Sequence, residues 1–261
     1  MPKLSSSQES SREMSELMTS LSYRPLVAAY KAAATCLLER DGFGLVVEHD
    51  LSDWVRHMRA APGVRFIMPT FNPETHSFSD EPIWVRVVNR KHAEMPTVAC
   101  MAARYFLTED YHQLLASGAL WCDDDTEPTG FLLDTVGPAG LVSHVGGLWV
   151  HPDHRGNGLS WIVPRLLGAV TLLNWNQAYH TGLVQEALVG KGVPGRNYGV
   201  GAMSLCLDGW FGPTNQRERI YSAVTTRDQM LERMSVDLNE ILRKANKKVR
   251  DHAPVKRHRD N

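Results

Sequence analysis

The chain has 261 residues, of which 43% are apolar and 22% charged, with 28 basic against 29 acidic side chains and a net charge of −1. This composition excludes a disordered chain, a collagen-like repeat and a disulfide scaffold, and the length is enough to bury a sizeable core. The even charge balance also excludes polyanion binding over the whole surface, so any such role must come from local clustering.

In chain order, residues 1–22 are Ser-rich and read as a mobile arm. From Arg24 to Asp41 the apolar residues Leu26, Val27, Tyr30, Ala34, Leu37 and Leu38 recur at helical spacing, and Gly42 suits the stop. Gly44 to Glu48 reads as a strand. Asp50 is placed to cap a helix that shows Leu51, Trp54, Val55 and Met58 on one face before Pro62-Gly63. Val64 to Met68 is expected to be a short strand, and 69–82 a polar loop. Ile83–Asn89 and Thr97–Phe106 are β-rich and separated by a short link, which favours an antiparallel pair. A helical turn is expected near Tyr111–Leu115 and a strand near Gly130–Leu133. Ser143–Val150 reads as a strand, Leu159 to about Trp175 as an apolar helix, and Thr181–Val184, Met203–Leu207 and Arg219–Val224 as further strands. Thr225 or Thr226 can cap a closing helix carrying Met230, Met234, Leu238 and Leu242. Strands interleaved with helices, with a strand–helix–strand unit at 143–184, indicate a mixed α/β layer with at least one crossover. The division expected is a mobile arm (1–22), one domain (23–225), a helix packed on it (226–248) and a basic tail (249–261).

Cys36, Cys100, Cys122 and Cys206 form no CxxC pair and no zinc spacing, so they read as reduced thiols, mostly buried. His151 and His154 have no third ligand in register, and no metal is expected. The chain shows neither an apolar run of membrane-spanning length nor the apolar core of a secretory signal in its first residues. These features predict a cytoplasmic protein with no membrane partner.

The informative stretch is GGLWVHPDHRGNGLSWIVPRLL, from Gly146 to Leu167. Physically it is a strand, a glycine turn and a helix start. Unpaired backbone N–H groups and the positive end of the helix dipole meet there, Gly156 and Gly158 let the main chain approach a ligand, and Arg155 adds fixed charge. Such a turn suits a phosphate or diphosphate. It is not a P-loop, because no Lys follows the glycine. It is not the dinucleotide turn either, because Trp161 stands where the third glycine belongs. Gly146-Gly147 is a natural place for a strand bulge.

The run from Leu148 to Leu167 resembles the acyl-CoA turn of GNAT-superfamily N-acyltransferases. Arg155-Gly156-Asn157-Gly158-Leu159-Ser160 follows that family's pattern, with Ser160 in place of its last small residue. The resemblance implies a mostly antiparallel central sheet with a V-shaped splay between two parallel strands, and helices on both faces. It implies acetyl-CoA or another acyl-CoA as co-substrate, with pantetheine along Leu148 and Val150 and the diphosphate on the amides of residues 155–160. The reaction implied is acyl transfer to a primary amine by direct attack on the thioester. His144 stands where the family often carries a base, and strand alternation puts it on the face of Gly146, Leu148 and Val150. Tyr198 is the candidate acid, although its spacing to Gly199-Val200 departs from the family's. Asp134 and Glu186 are further carboxylates in reach of such a role.

Two further departures stand out. Pro164 sits inside the helix, and the family's asparagine after the next strand is not evident in GLVQEALVG. They keep open an inactive, acyl-CoA-binding regulator. The basic tail raises nucleic-acid association, against which its lack of interleaved aromatics argues. The acceptor, a small molecule or a protein amine, carries no motif, and a homodimer remains open.

Overall fold

A computed structural model describes residues 22–76, 81–122 and 129–251. The arm expected at 1–22 (apart from Ser22) and the tail beyond 251 lie outside the described residues.

Helix α1, Arg24–Arg40, starts with a proline in its first turn and buries Val27, Tyr30, Ala34 and Leu38, the apolar stripe of the sequence. Strand β1 follows at Phe43–Glu48. Helix α2, Leu51–Ala60, is capped as expected, the Asp50 carboxylate accepting from the Ser52 N–H at 2.7 Å. Strands β2, Ile83–Asn89, and β3, Thr97–Thr108, form the expected antiparallel hairpin. Helix α3, Tyr111–Ala116, is capped by Asp110. Then come β4, Gly140–Val150; α4, Leu159–Trp175; β5, Tyr179–Gln185; and the single turn α5, Glu186–Val189. Strands β6, Ala202–Phe211, and β7, Gln216–Thr226, make a second hairpin, and α6, Arg227–Asp251, closes the chain. Thr226 and Gln229 cap α6 reciprocally, each side chain accepting the other's backbone N–H at 3.0 and 3.3 Å.

Two expected strands are absent. Residues 64–68 carry no regular structure and lead into a short 3-10 turn, Pro69–Phe71, without joining the sheet. Their apolar side chains pack against α2 instead, with Val64, Ile67 and Met68 resting on the cluster of Trp54, Met58 and Phe71. Near Gly130–Leu133 there is only one isolated bridge, Phe131 to Leu207. Local β propensity did not suffice there because the sheet edge is taken up at one residue only.

The seven strands lie in the order β1-β2-β3-β4-β5-β7-β6, and every neighbouring pair is antiparallel except β4–β5. That parallel pair needs a crossover, which α4 supplies. Helices cover both faces. On one, α1, α4 and α6 enclose the main core of Val27, Tyr30, Leu166, Leu167, Met230 and Met234. On the other, α2 and the 64–71 segment cover the β2–β4 region, while α3 with Trp121 and Phe211 covers the far strands. The sheet is therefore the mixed, mostly antiparallel one expected. Helix α4 is apolar on all sides because it is buried on nearly all of them. Pro164 does not interrupt it.

Candidate active site: a cleft where two parallel strands part

Strands β4 and β5 pair over only four residues, from Val142–Tyr179 to Val145–Gly182. Both continue, β4 to Val150 on β3 and β5 to Gln185 on β7, but they no longer touch each other. Among the described residues the β5-facing edge of β4 beyond Val145 thus has no strand partner, and its backbone groups stay available to a ligand lying as an extra strand. The last paired residue on β5 is Gly182, where a Cβ would stand 2.8 Å from the Val145 carbonyl oxygen.

A bulge bends β4 at the same point. Cys100 opposes Trp149 and Ala102 opposes Gly146, so Gly147 and Leu148 together face Met101 alone. Gly147 has φ +64, and a Cβ there would collide with the Trp54 ring. Both facts require glycine at this position. The bulge also corrects the strand alternation. His144 and Gly146 face Phe71, whereas Leu148 and Val150 pack toward the α4 side of the sheet. His144 is therefore on the opposite face from Leu148 and Val150, because the extra residue reverses the alternation.

The gap opens into a cleft of about 700 Å³ lined from both faces. Leu148, Val150, Arg155, Gly156, Leu159 and Ser160 line it, while Asn157 and Gly158 are not on its wall. After β4 a short 3-10 turn, Pro152–His154, leads to Arg155, and α4 begins at Leu159 behind Gly158. Gly156 and Gly158 have φ +84 and +74, and a Cβ on either meets nothing within 4 Å. Glycine is dictated here by the backbone turn, and the space above it is open. Among the described residues, the N–H groups of Gly156 to Ser160 find no acceptor in the protein, as the first turn of a helix leaves them. Arg155 is exposed beside them. The turn thus presents amides, a helix N-terminus and a guanidinium at one end of the cleft, which suits a diphosphate. Ser160 Oγ accepts from Asn197 Nδ2 at 3.1 Å, so its hydroxyl ties the turn to the 194–198 segment.

His144 is buried on the cleft wall, stacked on Phe71 and bonded through Nδ1 to the Tyr111 hydroxyl at 2.7 Å. Burial, reinforced by His180, pushes its imidazole down to about 3. His180, on the neighbouring strand and the other face, bonds Ser143 Oγ at 2.8 Å, and burial pushes it down to about 4. Both rings are neutral at ordinary pH. The Tyr111 side chain also interacts with Thr181, whose hydroxyl donates to the Ser143 carbonyl at 2.9 Å.

Tyr198 ends a single π-helical turn, Pro194–Tyr198, on the α4 side of the cleft, and burial raises its phenol. The turn is held by a buried cation. Arg165, in the middle of α4, pairs with Asp237 of α6 at 2.8 Å and donates to the carbonyls of Trp161, Arg196 and Asn197. Its guanidinium also lies over the Trp161 ring at 4.5 Å. Burial lowers the Arg165 pKa while Asp237 opposes that shift.

The two side-chain candidates thus share the cleft but stand on opposite faces of the sheet. Asp134 is exposed and off the cleft wall, and Glu186 is ion-paired with Arg219 outside it. The sequence reading missed Tyr111, Thr181, Arg165, Asp237 and Asn197. Only Arg165 left a signal, a lone charge inside an apolar helix, which is seldom buried unless paired. Among the described residues no His/Cys/Asp/Glu group is arranged to hold a metal, and no helix is long and apolar enough to cross a membrane.

No family model matches the chain, and no curated protein matches its sequence. Solved structures similar to it include Arabidopsis thaliana NAA60 in complex with acetyl-CoA, at 13% identity and a TM-score of 0.45 over 71% of this chain and 99% of that one. A mutant of the spermidine N-acetyltransferase SpeG from Vibrio cholerae is similar at 10% identity and a TM-score of 0.46, over 74% of this chain and 98% of that one. The ribosomal-protein-S5-alanine acetyltransferase from Vibrio fischeri is similar at 10% identity and a TM-score of 0.41, over 72% and 94%.

Proposed function

We propose that the chain is an acyl-CoA-dependent N-acyltransferase of the GNAT type, moving an acetyl or other short acyl group to a primary amine. One observation carries the reading. Among the described residues the one parallel strand pair parts at Val145–Gly182, and the gap leads to the unpaired amides of Gly156 to Ser160. A diphosphate on those amides and on Arg155 sends a pantetheine arm along the free edge of β4, past Leu148 and Val150. The thioester then lies at the bulge, where a backbone N–H of β4 can meet the developing oxyanion.

The acid–base roles follow from the two faces. Tyr198 stands on the α4 side, with the thiolate that leaves, and its raised pKa keeps the proton it has to give. His144 stands on the other side, where the amine arrives. Thr181 gives its proton to a carbonyl, so its oxygen is free to accept from Tyr111. Tyr111 in turn accepts from Nδ1–H of His144, which leaves Nε2 with a lone pair. His144 accordingly accepts an N–H of the neutral amine and takes its proton as the nitrogen acquires charge.

The depth of His144, which holds its pKa near 3, is also the observation that favours a second reading, an acyl-CoA-binding protein without turnover. Calorimetric titration with acetyl-CoA, followed by turnover on an amine panel, separates the two. Binding is expected in the native protein and is expected to vanish in the Arg155→Glu/Gly158→Trp double variant. Equal affinity in the two proteins removes the site and both readings.

A further inference from the structure

The cleft also bears on the acceptor, provided the acyltransferase reading holds for the donor side. The diphosphate turn leads into α4, so the donor occupies the α4 side of the sheet and the acceptor must come from the opposite side. That side is built by α2 and the 63–71 segment. Trp54, Met58, Val64, Phe66, Met68 and Phe71 line it. Of these, Trp54, Met58 and Phe71 are buried in a common cluster and form a fixed wall.

The charge on this wall is one-sided. Among the described residues lining the cleft there is no Asp, Glu or Lys, and the fixed charges are Arg65 and Arg155, both exposed. Several carboxylates near α2 are matched within the protein: Asp53 by Arg56, Glu74 by Arg59, and Glu48 by Arg86 at 3.0 Å. A polyamine or aminoglycoside needs several carboxylates to replace the water around its ammonium groups, and among its described residues this wall offers none. Aromatic faces can host one cationic centre, but the exposed Arg65 guanidinium on this wall opposes a second.

We infer that the acceptor is a monoamine with an apolar body of aromatic size, its nitrogen directed at His144 and its body against Trp54, Phe66 and Phe71. His144 supports this choice, because a neutral buried imidazole accepts from a neutral amine and offers a cation no counter-charge.

The test uses the full chain with 2-phenylethylamine and spermidine as probes. Amine binding is measured by calorimetry, and initial rates are measured with acetyl-CoA. 2-Phenylethylamine is expected to bind at least about tenfold more tightly than spermidine, with the same order in kcat/KM. Phe66→Ala, a half-buried position outside the buried cluster, is expected to weaken 2-phenylethylamine about tenfold and leave acetyl-CoA affinity unchanged. Val64→Glu is expected to raise spermidine affinity. Spermidine binding as tightly as 2-phenylethylamine, or a Phe66→Ala protein that binds it like the native chain, overturns the inference while the acyltransferase reading stands. If acetyl-CoA fails to bind but the amine preference holds, the acyltransferase reading fails and the apolar amine site remains.

Discussion

His144 is a histidine whose chemistry is set by atoms distant in the chain. Its ring is stacked on Phe71, its Nδ1 is held by Tyr111, and Tyr111 reaches Thr181 on the next strand. Tyr111→Phe removes the hydroxyl without a large volume change, so kcat is expected to fall by about one to two orders of magnitude, less than the ~10²–10⁴-fold a proton-transfer group itself contributes, because Tyr111 only orients His144. Acetyl-CoA affinity should be unchanged, which calorimetry checks. Because burial keeps His144 neutral down to about 3, kcat/KM should show no inflection near 6.5. It should rise with pH toward the pKa of the acceptor amine, and an inflection at the ordinary histidine value would show that His144 is not the group that faces the amine. Arg155 stood out in the sequence through the glycine turn, whereas His144 and Tyr198 were candidates only through the family resemblance, and all three line the cleft. Tyr111 was not legible in the sequence, because the role proposed for it rests on a contact made across 33 positions.

The element that decides the site is β4, and within it the bulge at Gly147–Leu148. The paired glycines announced a bulge, but not which face each later residue would take. Helix α4 shows a second element-level device. Arg165 joins α4, α6 and the 194–198 turn through one guanidinium. Replacing it with Met leaves Asp237 buried and uncompensated, so Arg165→Met is expected to cost about 3–5 kcal/mol. Arg165→Met/Asp237→Leu should recover most of that loss, because it removes both charges. Urea unfolding midpoints of the three proteins check this, and a single variant as stable as the native chain would mean the pair carries no structural weight. The pair was not predictable because 72 residues separate its members, and α6 was expected from its cap and its apolar stripe, neither of which involves Asp237.

At the scale of the molecule, two buried neutral imidazoles couple folding to pH. His144 and His180 are held at about 3 and about 4, whereas the unfolded chain protonates them near 6.5. The unfolded state therefore binds more protons below 6.5. Their contribution to stability is complete above that pH and is lost as pH falls toward 4 and then 3. At about pH 5 the loss is about 2 kcal/mol per ring, since each pKa unit is worth about 1.4 kcal/mol. Urea midpoints measured across this range are expected to fall steeply below about pH 6.5 in the native chain and less steeply in His180→Gln. A native midpoint flat from about pH 7 to 5 would contradict the neutral burial of both rings.

The amino-acid sequence alone determined the helices at 24–40, 51–60 and 159–175, the β2–β3 hairpin and the glycine turn before α4. Each is set by short-range physics: apolar periodicity, side-chain caps and backbone angles that only glycine adopts readily. Tertiary structure alone decided where β4 and β5 part, which face His144 occupies, what Arg165 pairs with and why residues 64–68 leave the sheet for the cleft wall. Those outcomes depend on pairing register and burial among segments far apart in the chain, where one extra residue reverses a strand face and one buried charge requires a partner.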